Sequence, residues 1–173
     1  MLFKLAGSLI VILSCTFLGF ILSRDCRKRP QQLRELQSML QMFENQISYL
    51  SDVITEAFER ICRVGHSETA VLFTKTVELL REERGVNASQ AWETAVRQNI
   101  RKTSLNREDE EVLVSFGKML GSSDLEGQLK NIRLTLGQLK MQEEKAEESR
   151  SRNENMYRSL GILGGIAVVI VLL

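Results

Sequence analysis

Charge is distributed along this chain in a way that permits few folds. Of 23 Lys and Arg and 22 Asp and Glu in 173 residues, only Lys4 lies before Arg24, and no charged side chain follows Arg158. The 135 residues between those arginines carry 44 charges, 22 of each sign, and two apolar ends flank them. A simple soluble globule does not leave both ends so apolar. The Gly, Pro and Cys counts of 11, 1 and 3 exclude collagen-like and disulfide-stapled classes. A charge-balanced middle segment also argues against nucleic acid as a partner, because phosphate neutralisation needs a surplus of cations.

Leu5 to Leu22 is uncharged, and as a helix it would reach about 27 Å, close to the roughly 30 Å hydrocarbon core of a bilayer. A cleaved secretory signal fits less well, since no small-x-small site precedes the polar segment. Ile12-Leu13-Ser14-Cys15 loosely resembles a lipobox, but the sequence after Cys15 stays apolar where a mature lipoprotein turns polar. The reading is an uncleaved membrane helix over residues 1–23. The C-terminal run, Leu160 to Leu173, reaches only about 21 Å. Beginning the span at 157, with Tyr157 at the interface and Arg158 snorkelling, brings 157–173 close to the required length. Gly161 and Gly165 form a small-xxx-small pair beside Gly164, a spacing that lets another helix approach closely in lipid. Arg24, Arg27, Lys28 and Arg29 follow the first span and Arg158 flanks the second, so both basic flanks belong to the middle segment. Basic flanks mark the cytoplasmic side, which puts that segment in the cytoplasm and both short termini outside.

Between the ends the apolar spacing is helical throughout, with no strand-like alternation. Pro30 suits the first turn of a helix. Leu33, Leu36, Leu40, Phe43, Ile47, Leu50, Ile54, Phe58 and Ile61 then follow at steps of three or four, with Ser51-Asp52 as a candidate break and Gly65 as the end. Ala70, Phe73, Val77 and Leu80 form a second face closed by Gly85. Asn87 with Gln90 reads as a capping box ahead of Ala91, Trp92, Ala95, Val96 and Ile100. Asn106 opens another helix whose acids, Glu108 to Glu111, favour its N-terminal dipole. Its face is Val112, Leu113, Phe116, Met119 and Leu120, with Gly121 as the stop. Asp124 caps a last helix with Leu125, Leu129, Ile132, Leu136 and Leu139 on one side. These elements predict an all-α protein: a cytoplasmic bundle of five to six helices over 24–139, between two terminal transmembrane helices. A helical stalk over 140–156 connects the bundle to the second span, supported by the i,i+4 pairs Glu148–Arg152 and Glu154–Arg158.

Chemistry is scarce. His66 is the single histidine, which excludes a multi-histidine metal site or a charge-relay triad. Cys15, Cys26 and Cys62 have no CxxC spacing. The acids 108–111 lack the alternate oxygens and glycine of a calcium loop. Asn87-Ala88-Ser89 matches a glycosylation sequon but serves as a cap in a cytoplasmic segment. No phosphate-binding loop or nucleophile motif is present, so the residues point away from an enzyme and imply neither metal nor cofactor.

Four local features, taken in order, resemble one family. Arg29-Pro30-Gln31-Gln32-Leu33-Arg34 leaves the first apolar run. Glu56-Ala57-Phe58 follows the candidate break. Leu120-Gly121-Ser122-Ser123-Asp124 precedes Gln128-Leu129. Asn155-Met156-Tyr157-Arg158-Ser159-Leu160-Gly161-Ile162-Leu163-Gly164-Gly165 enters the last run. Together they resemble stage III sporulation protein AB of endospore-forming bacteria over essentially the whole chain, although Ser51-Asp52-Val53 stands where a Thr-Pro-Leu-like turn is expected. The resemblance implies a fold like the cytoplasmic helical domain of the F-type platform proteins of type II secretion and type IV pili. It also implies a place in the channel complex that the mother cell builds in the membrane around the forespore. There the chain would be a non-enzymatic platform or adaptor between a cytoplasmic secretion-type ATPase and ring-forming membrane components. Membrane lipid and further copies of the chain are compatible partners. The alternative is a two-span membrane sensor with a ligand-binding bundle; the cytoplasmic placement of the bundle opposes it.

Overall fold

The computed structural model describes residues 27–48, 54–64, 67–82, 86–122 and 124–172, and those residues form six α-helices and no strand. They are α1 (27–48), α2 (Ile54–Val64), α3 (Ala70–Glu82), α4 (Ala88–Asn99), α5 (Arg107–Gly117) and α6 (Leu125–Leu172). A 3₁₀ turn, Ile100–Lys102, follows α4. The chain divides into two compact units, one of Arg29–Glu144 and one of Met1–Lys28 with Lys145–Leu173.

In the Arg29–Glu144 unit, each of the first five helices contributes one large aromatic ring to a common core. Phe43, Phe58, Phe73, Trp92 and Phe116 are all buried, and their ring centroids stand 4.7 to 6.2 Å apart, mostly tilted or edge to face. Such pairs add about 0.5–1.5 kcal/mol each beyond the area they bury. Every one of these rings lies on a face read from the 3.6-residue spacing. Trp92 also donates its indole N–H to the Leu113 carbonyl at 2.7 Å, which satisfies its one polar atom in the core. The ring can lie flat on α5 because position 117 is glycine: a Cβ there would stand 2.4 Å from Trp92 Cδ1.

The caps at Asn87 and Asn106 are complete capping boxes. Asn87 accepts from the Gln90 N–H at 2.8 Å, and Asn106 accepts from the Asp109 N–H at 3.0 Å. Asp124 Oδ1 accepts from the Gly127 N–H at 2.9 Å at the start of α6. Helix α5 stops at Gly117, four residues before the expected Gly121. The chain leaves it through tight turns (Leu120 N–H to Gly117 O, 3.0 Å) that end at Gly121, whose φ of 72° suits glycine. Two side chains of α6 receive the freed carbonyls: Gln128 donates to Met119 O at 2.8 Å and Asn131 to Phe116 O at 3.0 Å. Met119 and Leu125, read as core positions, are therefore exposed at this turn.

Helices α1 and α6 run antiparallel within the unit, since Glu44 meets Arg133 at 2.6 Å while Arg34 meets Glu143 at 2.7 Å. Helix α6 is 48 residues long and unbroken where bundle and stalk were expected to meet. Residues 140–144 belong to the compact unit rather than to the stalk, because Gln142 and Glu143 are buried against α1.

Among the described residues no helix is long and apolar enough to cross a membrane. The expected N-terminal span lies outside those residues. Over the expected C-terminal span the backbone is helical to Leu172, and nearly all its side chains lie outside them. The candidate break at Ser51-Asp52 and the turns at Gly65-His66 and Gly85 are outside them as well.

Candidate functional site

The most elaborate arrangement of polar side chains is where the chain enters and leaves the Arg29–Glu144 unit. Asp109, third residue of α5, is fully buried. Its Oδ2 completes the capping box by accepting from the Asn106 N–H at 2.9 Å. The same carboxylate takes a two-pronged contact from Arg29, Nε to Oδ2 at 2.8 Å and Nη2 to Oδ1 at 3.0 Å. Parallel N–H donors of this kind are the geometry in which a guanidinium binds a carboxylate best. Arg29 Nη2 also donates to Gln142 Oε1 at 3.2 Å, and Gln142 Nε2 donates to Glu108 at 3.1 Å. One knot thus joins the starts of α1 and α5 to α6.

A second knot lies a turn along α1. Glu143 accepts from Arg34 Nε at 2.7 Å, Gln37 Nε2 at 3.0 Å and Lys140 Nζ at 2.9 Å. Burial alone pushes its carboxyl upward, but those donors outweigh burial and lower the pKa from 4.5 to about 2. Two loops are tied to the same stretch of α1. Gln32, also buried, accepts from the Ser104 N–H at 2.7 Å and donates to Glu68 at 2.7 Å, while Thr69 donates to Glu35 at 3.2 Å.

Of the basic residues expected to flank the membrane spans, Arg29 thus belongs to the first polar knot, with its side chain 20% exposed. Arg27 pairs with Glu154 at 2.5 Å in the other unit, and Lys28 is exposed. Arg24 and the side chains of Arg158, Gly161, Gly164 and Gly165 lie outside the described residues. The roles of Asp109, Gln142, Glu143 and Gln32 were missed from the sequence. The one available signal was Asn106-x-x-Asp109, a capping-box spacing that singles out Asp109 from its acidic neighbours.

Elsewhere, α4 and α5 enclose an open groove of about 290 Å³ lined by Arg97, Arg107, Glu110, Glu111, Val114 and Lys118. Its charges largely answer one another: Arg97 meets Glu93 at 2.9 Å and Glu110 at 3.9 Å, and Arg107 meets Glu111 at 3.2 Å. Cys62 is half-buried, and burial pushes its thiol pKa up despite a contact from Thr74 Oγ1 at 3.6 Å. Among the described residues no three His, Cys, Asp or Glu side chains converge as a metal ion would need.

These features define an all-helical bundle whose buried polar groups are engaged in fixing its own helices. The family model for stage III sporulation protein AB matches residues 4–173, and the chain belongs to that family. It is 31% identical over 170 residues to the stage III sporulation protein AB of Bacillus subtilis (strain 168), covering 98% of this chain and 99% of that one. A solved structure of a stage III sporulation protein AB superposes with a TM-score of 0.67 at 30% identity, covering 72% of this chain and 98% of its own.

Proposed function

We propose that this protein is a membrane-anchored helical platform in a sporulation channel complex between mother cell and forespore, linking a cytoplasmic secretion-type ATPase to ring-forming membrane proteins. Residues 1–23 and 157–173 anchor it in the mother-cell membrane around the forespore, and the bundle stands in the cytoplasm. It makes and breaks no bonds; its work is to hold partners and pass position between them.

The observation that carries this reading is the contact between Arg29 and Gln142 at 3.2 Å. It puts the entry and exit of the Arg29–Glu144 unit side by side, as two neighbouring anchors in one bilayer require. The knots around Arg29 and Glu143 make that end stiff, so a displacement of the bundle reaches both chain ends together. The opposite end, with the exposed Met119 and Leu125 in the α5–α6 turn, is then the part a cytoplasmic partner reaches first.

Binding of the purified cytoplasmic segment 29–155 to the sporulation-type secretion ATPase tests the adaptor role. Micromolar binding, weakened by Met119→Glu, is the expected result. A folded segment that fails to bind at about 100 µM, an affinity weaker than about 5.5 kcal/mol, removes the direct ATPase link. A topology reporter inserted at residue 90 tests the anchors; activity on the outer side of the membrane contradicts the orientation.

A further inference from the structure

At the end where the chain enters and leaves the Arg29–Glu144 unit, two loops are tied to the first turns of α1. The loop after α4 is held by its Ser104 N–H, which Gln32 accepts at 2.7 Å, and by the Asn106 N–H bond to the carboxylate that Arg29 grips. The loop after α2 is held through Glu68 and Thr69, bonded to Gln32 and Glu35. These loops and the helix ends beside them carry Arg63, Arg101, Lys102 and Arg107, all exposed. Among the described residues Arg63 and Arg101 meet no acid, and Lys102 donates to Asn99 Oδ1 rather than to a carboxylate. The acids of this end are drawn inward instead. Asp109 and Glu143 are buried, and Glu68 and Glu108 accept from the buried side chains of Gln32 and Gln142. Glu144, exposed on α6, offsets one of the four cations. Stability does not explain the arrangement. Arg107 is the first residue of α5, where the helix dipole disfavours a cation, and its side chain is 90% exposed. It also precedes its partner Glu111 by four residues, the weaker of the two orders for such a pair.

We infer that these four cations form a contact site for anionic lipid headgroups, the phosphates of the bilayer that anchors the chain. The inference rests on the membrane-anchored reading above, which supplies the occupant. In that reading the first span ends at residue 23, and the six residues on to Arg29 reach at most about 20 Å. The headgroup layer takes up about 5–7 Å of that distance. The start of α1 therefore stays within about two Debye lengths of the bilayer surface at physiological salt. The bilayer is thus held opposite this end by the chain itself, whereas a dissolved anion has to find it. Arginine and lysine gain from the negative potential of an anionic surface, and the gain falls away within one Debye length. Seated on headgroups, the four cations hold this end against the membrane. The turn with the exposed Met119 and Leu125, at the far end, is then left free for a partner.

Lysine acetylation of the full chain in lipid nanodiscs, read residue by residue by mass spectrometry, tests this. Lys102 and Lys118 are both exposed, one before the start of α5 and the other just after its end. Lys102 is expected to react about fivefold more slowly in phosphatidylglycerol than in phosphatidylcholine discs, while Lys118 reacts alike in both. Arg101→Gln with Arg107→Gln, both changes on exposed positions, restores the Lys102 rate in phosphatidylglycerol, with Trp92 emission unchanged as a check on the fold. Equal Lys102 rates in the two lipids, or equal slowing at Lys118, overturn the headgroup site. Protection that survives the double variant overturns it too, because the short tether alone then accounts for it. Protection of Lys102 by inorganic phosphate or RNA in phosphatidylcholine discs puts the occupant in solution and overturns the lipid assignment. A chain that stays with discs of neither lipid refutes the anchored reading, and the headgroup site with it.

Discussion

Gly117 supports the largest ring of the core, and the consequence can be put in numbers. Alanine at a helical position is ordinarily favoured over glycine by about 1 kcal/mol. Here its methyl would stand 2.4 Å from Trp92 Cδ1, and the indole is also held by its bond to Leu113 O. Overpacking of a closed core costs typically 1–3 kcal/mol, and this approach belongs at the upper end of that range. Gly117→Ala is therefore expected to destabilise the bundle by about 1–2 kcal/mol net, measured by urea unfolding. The single tryptophan of the chain reports it directly through a red-shifted emission. Glu143 carries a pH dependence of definite sign. Its carboxyl ionises near pH 2 in the folded chain rather than near 4.5, so its contribution is complete above about pH 4.5 and is lost as pH falls toward 2. The stability difference between the native segment and Glu143→Gln should narrow through that window and stay constant from pH 5 to 8. A constant difference down to pH 2.5 would mean that the donors on α1 do not hold the carboxylate in solution.

The ends of the helices, more than their middles, set this fold. Asn106→Ala removes a cap and is expected to cost about 1 kcal/mol. Arg29→Ala should cost more, about 3–5 kcal/mol, because it leaves the buried Asp109 carboxylate without its cation. In a double-mutant cycle, Arg29→Ala with Asp109→Asn should be less destabilising than the sum, and additivity would show that the two side chains are uncoupled. Asn131→Leu removes the side-chain bond to the Phe116 carbonyl and leaves it only backbone donors, for about 0.5–1.5 kcal/mol in thermal or urea melts. The cap at Asn87 was legible in the sequence because a capping box joins residues three apart, and Asn106 was legible as a helix start while its partner Asp109 was missed. The aromatic core was legible because one ring per helix lies on each 3.6-residue face. Arg29 with Asp109 and Gln142 was not legible, since partners 80 and 113 residues apart leave no periodic trace. Position alone made Arg29 look like one more flanking cation. Met119 and Leu125 misled for a related reason: both continue an apolar rhythm, but polar Gln128 and Asn131 fill the space beside the turn to satisfy α5.

On the scale of the whole molecule, periodicity placed the bundle's end where the apolar face of α6 thins, at 139, and the structure extends the compact unit to Glu144. The difference is electrostatic, since residues 142 and 143 are buried through their partners on α1 rather than through apolar area. A segment ending at 139 should therefore unfold at lower urea than one ending at 144 or 155, even though it keeps every core aromatic. Equal midpoints would show the knots to be ornamental. The order in which these partners are synthesised has a further consequence. Arg29 leaves the ribosome 80 residues before Asp109 and 113 before Gln142. At usual elongation rates the wait for Asp109 is roughly 4–16 s, during which its charge has no buried partner and stands close to the apolar N-terminal run. In the membrane-anchored reading proposed above, it is for that interval available as a topological signal, and only later is it drawn into the knot with Asp109. In that reading one arginine acts first on the orientation of the nascent chain and afterwards on the rigidity of the finished one.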